Sequence, residues 1–210
     1  MNEVEYIKYF AGLLAIVNPI GSVPIFISLT RHQTSGERAH TALIAAVTVL
    51  MVLTITLLTG ERILQLFGIG LASFRVGGGI LVLLIAISML HAKVSPAQQT
   101  REEVQDAAEK ATVAVVPLGI PLLSGPGAIS TVIVYAGRHD AVSHYALLEV
   151  EILLVACIIW LSFRTAPYIA KMLGRTGINV VTRLMGLIMS AIAVEIMSNG
   201  LKQLFPALAA

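Results

Sequence analysis

Apolar residues in this chain gather into runs that are too long for buried strands and too uniform for the amphipathic helices of a water-soluble core. Six of them approach the about 20 mostly apolar residues that a helix needs to cross a bilayer. They cover approximately residues 6–29, 41–60, 69–90, 111–136, 145–163 and 180–201. The second run has no charged residue, the third has Arg75 near its start, and the fifth carries Glu149 and Glu151 in its first two turns. The pattern predicts an all-α membrane protein of six transmembrane helices in a single membrane domain. The one polar linker, 93–110, holds Glu102, Glu103, Asp106 and Glu109 beside Lys93, Arg101 and Lys110. It separates residues 1–92 from 111–210, three predicted helices on each side.

Composition strengthens this picture. Hydrophobic residues make up 57% of the chain and charged residues 12%, against about 25% charged in a soluble domain. So few charges cannot cover a water-exposed surface, whereas a lipid-exposed surface needs none. The net charge of +2 is not gathered on one face, so no nucleic-acid partner is expected. The partners expected are the lipid bilayer and a small solute, and the oligomeric state is left open. The single cysteine, Cys157, excludes an internal disulfide and reads as a small buried apolar residue. The N-terminal residues carry Glu3 and Glu5, and no small-residue cleavage pattern follows the first run, so that run is expected to be an uncleaved anchor.

Basic residues in the connections set the orientation. One side holds Lys8, Arg62, Arg75, Arg138 and Lys202. The other holds Arg31, Arg38, Lys93, Arg101, Lys110, Arg164, Lys171, Arg175 and Arg183. The second side is expected to be cytoplasmic, with the linker on it and both termini periplasmic in a bacterial inner membrane.

The two halves resemble each other. Gly12 and Asn18-Pro19 correspond to Gly119 and Gly125-Pro126 at a spacing of 107 residues. The segment Ile63-Leu64-Gln65-Leu66-Phe67-Gly68 corresponds to Ile169-Ala170-Lys171-Met172-Leu173-Gly174 at 106, and Arg75, Gly78, Ile80 and Met89 correspond to Arg183, Gly186, Ile188 and Met197 at 108. An odd number of spans per repeat reverses the second copy. The expectation is therefore two inverted-topology three-helix repeats, a common transporter plan.

The first and fourth runs are interrupted at matched positions. The first reads Asn18-Pro19-Ile20-Gly21-Ser22-Val23-Pro24; the fourth reads Pro117-Leu118-Gly119-Ile120-Pro121-Leu122-Leu123-Ser124-Gly125-Pro126-Gly127. Proline lacks an amide hydrogen and clashes with the carbonyl four residues back, which frees the carbonyls of Ala15, Ile20 and Leu122, among others. In hydrocarbon each freed group costs several kcal/mol unless something pairs with it. Asn18 before Pro19 is the signature of a helix restart, a cap followed by proline at the first helical position; Ser124-Gly125-Pro126 can act likewise. Two restarts facing each other aim amide hydrogens and partial positive charge at one level of the bilayer. Such ends bind a carboxylate, and freed carbonyls hold an ammonium. The candidate substrate site is therefore Asn18, Pro19, Gly21, Ser22, Ser124, Gly125, Pro126 and Gly127, with the carbonyls of Ala15, Ile20 and Leu122. The competing interpretation is a pair of simple proline kinks.

Glu195 is the other candidate. Its distance along the helix from Arg183 and Lys202 places it inside the hydrocarbon, where a carboxylate needs a partner. Asn199 lies four residues on, along the same helix face, and Arg75 is expected in the same leaflet as its ion-pair partner. The three are candidates for coupling to an ion gradient, against a purely structural role for Glu195. Thr48, Thr54, Thr56 and Thr59 are expected to bond carbonyls of their own helix or a neighbour. The five histidines, His32, His40, His91, His139 and His144, show no metal-ligand spacing. With no zinc motif, nucleotide loop or nucleophile–base pair, neither a metal, a cofactor nor an enzyme activity is expected.

These motifs resemble the MarC family of bacterial inner-membrane proteins, and within it the YchE-like branch, over nearly the whole chain. The likeness rests on Asn18-Pro19-x-Gly21-x-x-Pro24-x-Phe26, Ser73-Phe74-Arg75-x-x-Gly78-Gly79, Pro121-Leu122-x-x-Gly125-Pro126-Gly127-Ala128 and Thr176-Gly177-Ile178-Asn179. The resemblance implies six spans, grouping with the LysE-type transporters, and transport of neutral amino acids. A solute of glycine or alanine size is the expectation, with export as one direction. A passive channel for small neutral solutes and a non-transporting membrane subunit are the alternatives.

Overall fold

The computed structural model describes residues 3–91, 114–139 and 141–206, and among these every regular element is helical. In chain order they are α1 (Glu3–Val17), α2 (Val23–Leu29), α3 (Ser35–Leu66), α4 (Leu71–Leu90), α5 (Ala114–Leu123), α6 (Pro126–Ala136), α7 (Val142–Arg164) and α8 (Ala166–Leu204). The predicted linker, 93–110, lies outside the described residues.

Four helical stretches are long and apolar enough to cross a membrane: Ser35–Leu66, Leu71–Leu90, Val142–Arg164 and Thr176–Leu204. Their outward faces say why. Along α3 the exposed residues include Leu43, Val47, Met51, Ile55 and Leu58, a stripe at helical spacing, while Ala42, Ala45, Val49 and Leu53 face inward and are buried. A helix apolar all round is stable only when both faces meet apolar surroundings. Cys157 belongs to such an outward face: it is exposed, not buried as its setting in an apolar run predicts.

Helix ends extend beyond the predicted hydrocarbon segments. α3 begins at Ser35 because Thr34 and Glu37 form a capping box, in which Thr34 Oγ1 accepts the Glu37 amide and Glu37 accepts the Thr34 amide at 2.7 Å. α8 starts at Ala166 with Pro167 in its first turn and is broken at Gly174, whose φ of 60° lies in the left-handed region. Gly68, at the turn between α3 and α4, has φ 67°.

The closest helix pair is α4 with α8. A Cβ on Gly79 would strike the Met197 side chain and lie 3.0 Å from the Ala193 carbonyl; a Cβ on Gly186 would lie 3.0 Å from Met89 Cβ and from the Ala86 carbonyl. Near the other end, a Cβ on Gly200 would lie 2.9 Å from the Ala72 carbonyl. Rising positions on α4 thus meet falling positions on α8, so the two helices run antiparallel. Small residues at such a seam let backbones approach, which is what drives helix association where no hydrophobic force operates. Elsewhere, Phe26 and Phe163 stack with centroids 4.3 Å apart and tie α2 to α7. His144 joins α7 to α1 through the Tyr6 hydroxyl at 2.9 Å and to α6 through the Tyr135 carbonyl at 2.9 Å.

Candidate functional site

Both proline-containing runs are broken, and the breaks lie side by side. α1 stops at Val17 because Asn18 takes a left-handed φ of 48°. The chain then makes one turn: Asn18 Oδ1 accepts the Gly21 amide at 3.2 Å, and the Asn18 carbonyl accepts both the amide and the hydroxyl of Ser22 at 3.1 Å. α2 proper starts after Ser22, with Pro24 in its first turn, four residues beyond the restart expected at Asn18. A Cβ on Gly21 would collide with the Asn18 side chain, so glycine here is required for Asn18 to fold over the turn.

The second break is longer. α5 is wound as a π-helix and contains two extended residues, Val116 (φ −124°, ψ 122°) and Ile120 (φ −127°, ψ 129°). Each precedes a proline, Pro117 or Pro121, whose ring forces its predecessor out of the helical region. Ser124 spans this winding, its amide donating to the Gly119 carbonyl at 3.0 Å and its hydroxyl at 2.7 Å. α6 then starts at Pro126 with Gly125 as an extended cap and no side-chain cap. The first free amides of α6, those of Gly127 and Ala128, therefore point out of a buried helix end without a side-chain acceptor. Ala128 is the contribution that the sequence motif did not suggest.

The breaks touch through Ile16 and Gly127: a Cβ on Gly127 would lie 3.3 Å from Ile16 Cγ2, Ile85 Cδ1 and Val82 Cγ2. Asn18, Ser22 and Ser124 are all buried, an unusual concentration of polar side chains at the centre of an apolar bundle. Of the predicted free carbonyls, that of Ile20 is not free; it accepts the Val23 amide at 3.1 Å. Among the described residues, no hydrogen bond at the breaks reaches the carbonyls of Ala15 or Leu122.

Above the breaks, at the end carrying the N-terminus, lies a cavity of about 520 Å³ lined by Lys8, Gly12, Arg75, Thr131, Arg138, Glu195 and Asn199, among others. Gly12 and Thr131 are each six residues from the respective break, about 9 Å at the helical rise. Thr131 Oγ1 donates to the Gly127 carbonyl at 2.9 Å, linking the cavity wall to the second break. Ile16, Val82 and Ile85, all buried, pack around Gly127 at the second break.

Arg75, Glu195 and Asn199 do share this cavity. Arg75 and Glu195 form no ion pair there; among the described residues the only one is Arg138 with Glu5, at 3.4 Å. Glu195 is exposed to the cavity and accepts from Asn199 Nδ2 at 3.0 Å, so its partner is on its own helix. Of the four threonines, Thr48, Thr56 and Thr59 bond carbonyls four residues back, and Thr54 donates to Glu149 Oε1 at 2.7 Å. That last bond turns the carboxylate in the fifth run toward α3.

Among the described residues, an all-helical bundle with apolar outward faces and two interrupted helices, with a few polar side chains at the breaks, defines an integral membrane protein. Residues 4–205 match the profile described as MarC family integral membrane protein. The chain is 45% identical to the UPF0056 membrane protein YhcE of Escherichia coli K12 over 97% of its length and 94% of that protein's. It is 40% identical to the UPF0056 membrane protein YvbG of Bacillus subtilis, with 96% of each chain covered. A UPF0056 membrane protein of Methanocaldococcus jannaschii is 38% identical over 96% of this chain and 98% of its own. The chain belongs to the MarC family. No solved structure matches it.

Proposed function

We propose that the protein is a transporter of small neutral amino acids, glycine or alanine in size, which binds its substrate at the two helix breaks. The observation that carries this reading is the contact of Ile16 with Gly127, which sets two interrupted helices with buried Asn18, Ser22 and Ser124 side by side beneath a cavity open at one end. The amides of Gly127 and Ala128, at the positive end of α6, suit a carboxylate; the carbonyls of Ala15 and Leu122 suit an ammonium. Asn18, Ser22 and Ser124 already spend their hydrogen bonds on the breaks themselves, so in this reading they shape the site or exchange partners when substrate enters.

The proposed architecture is six crossings in two inverted repeats, with α1–α2 and α5–α6 each forming one crossing. Two details support it. Gly68 and Gly174, equivalent in the repeat, are the two described glycines in the left-handed region. Met197 sits on Gly79, one residue from the Gly78 that the repeat pairs with Gly186, and its equivalent Met89 sits on Gly186, so the two contacts approximate, within one residue, the reciprocity of a two-fold axis between α4 and α8.

Counterflow of labelled alanine in proteoliposomes tests the function. Gly125→Val and Asn18→Ala should abolish or sharply reduce it in protein that still elutes as a folded species. Gly77→Ala, at a position with open space around it, should not. Wild-type counterflow in both break variants refutes the site. Osmotic swelling by glycerol or urea without counterflow would identify a channel instead.

A further inference from the structure

The cavity above the breaks contains a charge arrangement that the proposed site does not use. Arg75 is only 8% exposed, and its Nε is buried without a hydrogen-bond partner among the described residues. Its backbone is held against α8, where a Cβ on Gly200 would lie 3.0 Å from Arg75 Cβ. A buried guanidinium with an unsatisfied donor is strongly unfavourable unless an anion meets it. Among the described residues no carboxylate does so: Arg138 is the partner of Glu5, and Glu195 lies beyond ion-pair distance of Arg75. Glu195, on the same cavity, has an amide neighbour in Asn199 but no cation.

We propose that this cavity is a separate outer binding site for a zwitterionic amino acid, with Arg75 holding the carboxylate and Glu195 the ammonium. Outside the Arg138–Glu5 pair the wall carries two cations, Arg75 and Lys8, and the carboxylate Glu195, with no ion pair among them; a buried cation and a carboxylate facing one space without pairing match a ligand carrying one of each charge. A simple anion would satisfy Arg75 and leave Glu195 unmet. A volume of about 520 Å³ is within the range of small-molecule sites and holds a small amino acid with water around it. Cation–π contact fixes Arg138 over the Tyr135 ring, 4.0 Å from guanidinium carbon to centroid, so that this second arginine is part of the wall. The site rests on the transport reading for its biological sense, since it lies where a solute waits before Ile16 and its neighbours part.

The experiment needs no transport. In a Cys157→Ser background, Ala191→Cys places one thiol on the cavity wall, and its alkylation rate by a neutral maleimide is measured in full-length protein in nanodiscs. Millimolar alanine should slow alkylation at least threefold, while propionate and ethylamine at the same concentration should slow it little. Arg75→Gln and Glu195→Gln should each raise the protecting alanine concentration at least tenfold. Arg75→Lys, which keeps charge without the planar fork, should fall between and serves if Arg75→Gln does not fold. Gly125→Val should keep the protection while losing counterflow, which separates this site from that at the breaks. Protection that survives both Arg75→Gln and Glu195→Gln, no protection by alanine, or equal protection by propionate overturns the proposal.

Discussion

Ile16 Cγ2 lies 3.3 Å from where a side chain on Gly127 would begin, a contact that brings the two helix breaks together. Gly127→Ala adds a methyl against three apolar side chains at that distance. Overpacking of this kind should cost about 1 kcal/mol and depress counterflow by resisting separation of the breaks. Ile16→Ala removes the methyl in the way. Thermal unfolding of the single and double variants should show that the double loses less than the sum of the singles; strict additivity would mean the two positions do not share this space.

Asn18 and Gly21 form a second coupled pair. Asn18→Ala loses the Oδ1 acceptor of the Gly21 amide, worth about 1 kcal/mol, and leaves alanine at φ 48°, worth about 1 kcal/mol more. Gly21→Ala places a methyl on the Asn18 side chain and should destabilise strongly when Asn18 is present and weakly in the Asn18→Ala background. Denaturation followed by helical circular dichroism in detergent measures both.

At Gly79 the α4–α8 seam should tolerate nothing larger than glycine. Gly79→Leu forces apart both Met197 and the α8 backbone and should abolish recovery of folded protein. Gly79→Ala with Met197→Ala should recover only in part, because the Ala193 carbonyl, 3.0 Å from the new methyl, cannot move aside as a side chain can. Size-exclusion profiles of fluorescent fusions decide the matter.

Glu195→Gln separates two roles. As a ligand for substrate ammonium, Glu195 should, when neutralised, raise the half-saturation concentration in counterflow and in gradient-driven uptake alike. Loss of gradient-driven uptake with normal counterflow would make it a coupling residue.

Orientation is open to a direct measurement. With both termini periplasmic, alkaline phosphatase fused after Ala210 should be active; activity of a cytoplasm-only reporter there would reverse the assignment.

Much of this fold was legible because a bilayer asks a simple question of a sequence. The apolar stretches of α3, α4, α7 and α8 answer it by length, and the prolines at 19, 24, 121 and 126 announce the two interruptions. What was missed follows from what hydropathy averages away. Thr34 and Glu37 spell a capping box in plain sequence, yet they lie outside the apolar window, so hydropathy alone does not show that α3 extends to Ser35. Asn18 before Pro19 reads as an ordinary N-cap, but its left-handed backbone ends α1 instead and the next helix begins after Ser22. Periodicity cannot tell a lipid-facing position from one facing the protein, so Cys157 was expected to be buried, whereas it lies on an outward face. The cavity was invisible for a different reason: Lys8, Arg75, Thr131 and Glu195 come from four helices, and no local spacing connects them.

The near-reciprocal seating of Met89 and Met197 bears on energetics. If the two halves exchange conformations about the α4–α8 axis, the cavity reappears at the opposite end with Arg183 in the place of Arg75 and Ile87 in the place of Glu195. A zwitterion would then be gripped by both charges on one face and by only one on the other. Half-saturation should differ between the faces. Because the closed cycle must balance, the loaded carrier must favour the face that binds tightly more than the empty carrier does. The asymmetry would change how fast each leg runs and leave the final concentration ratio untouched.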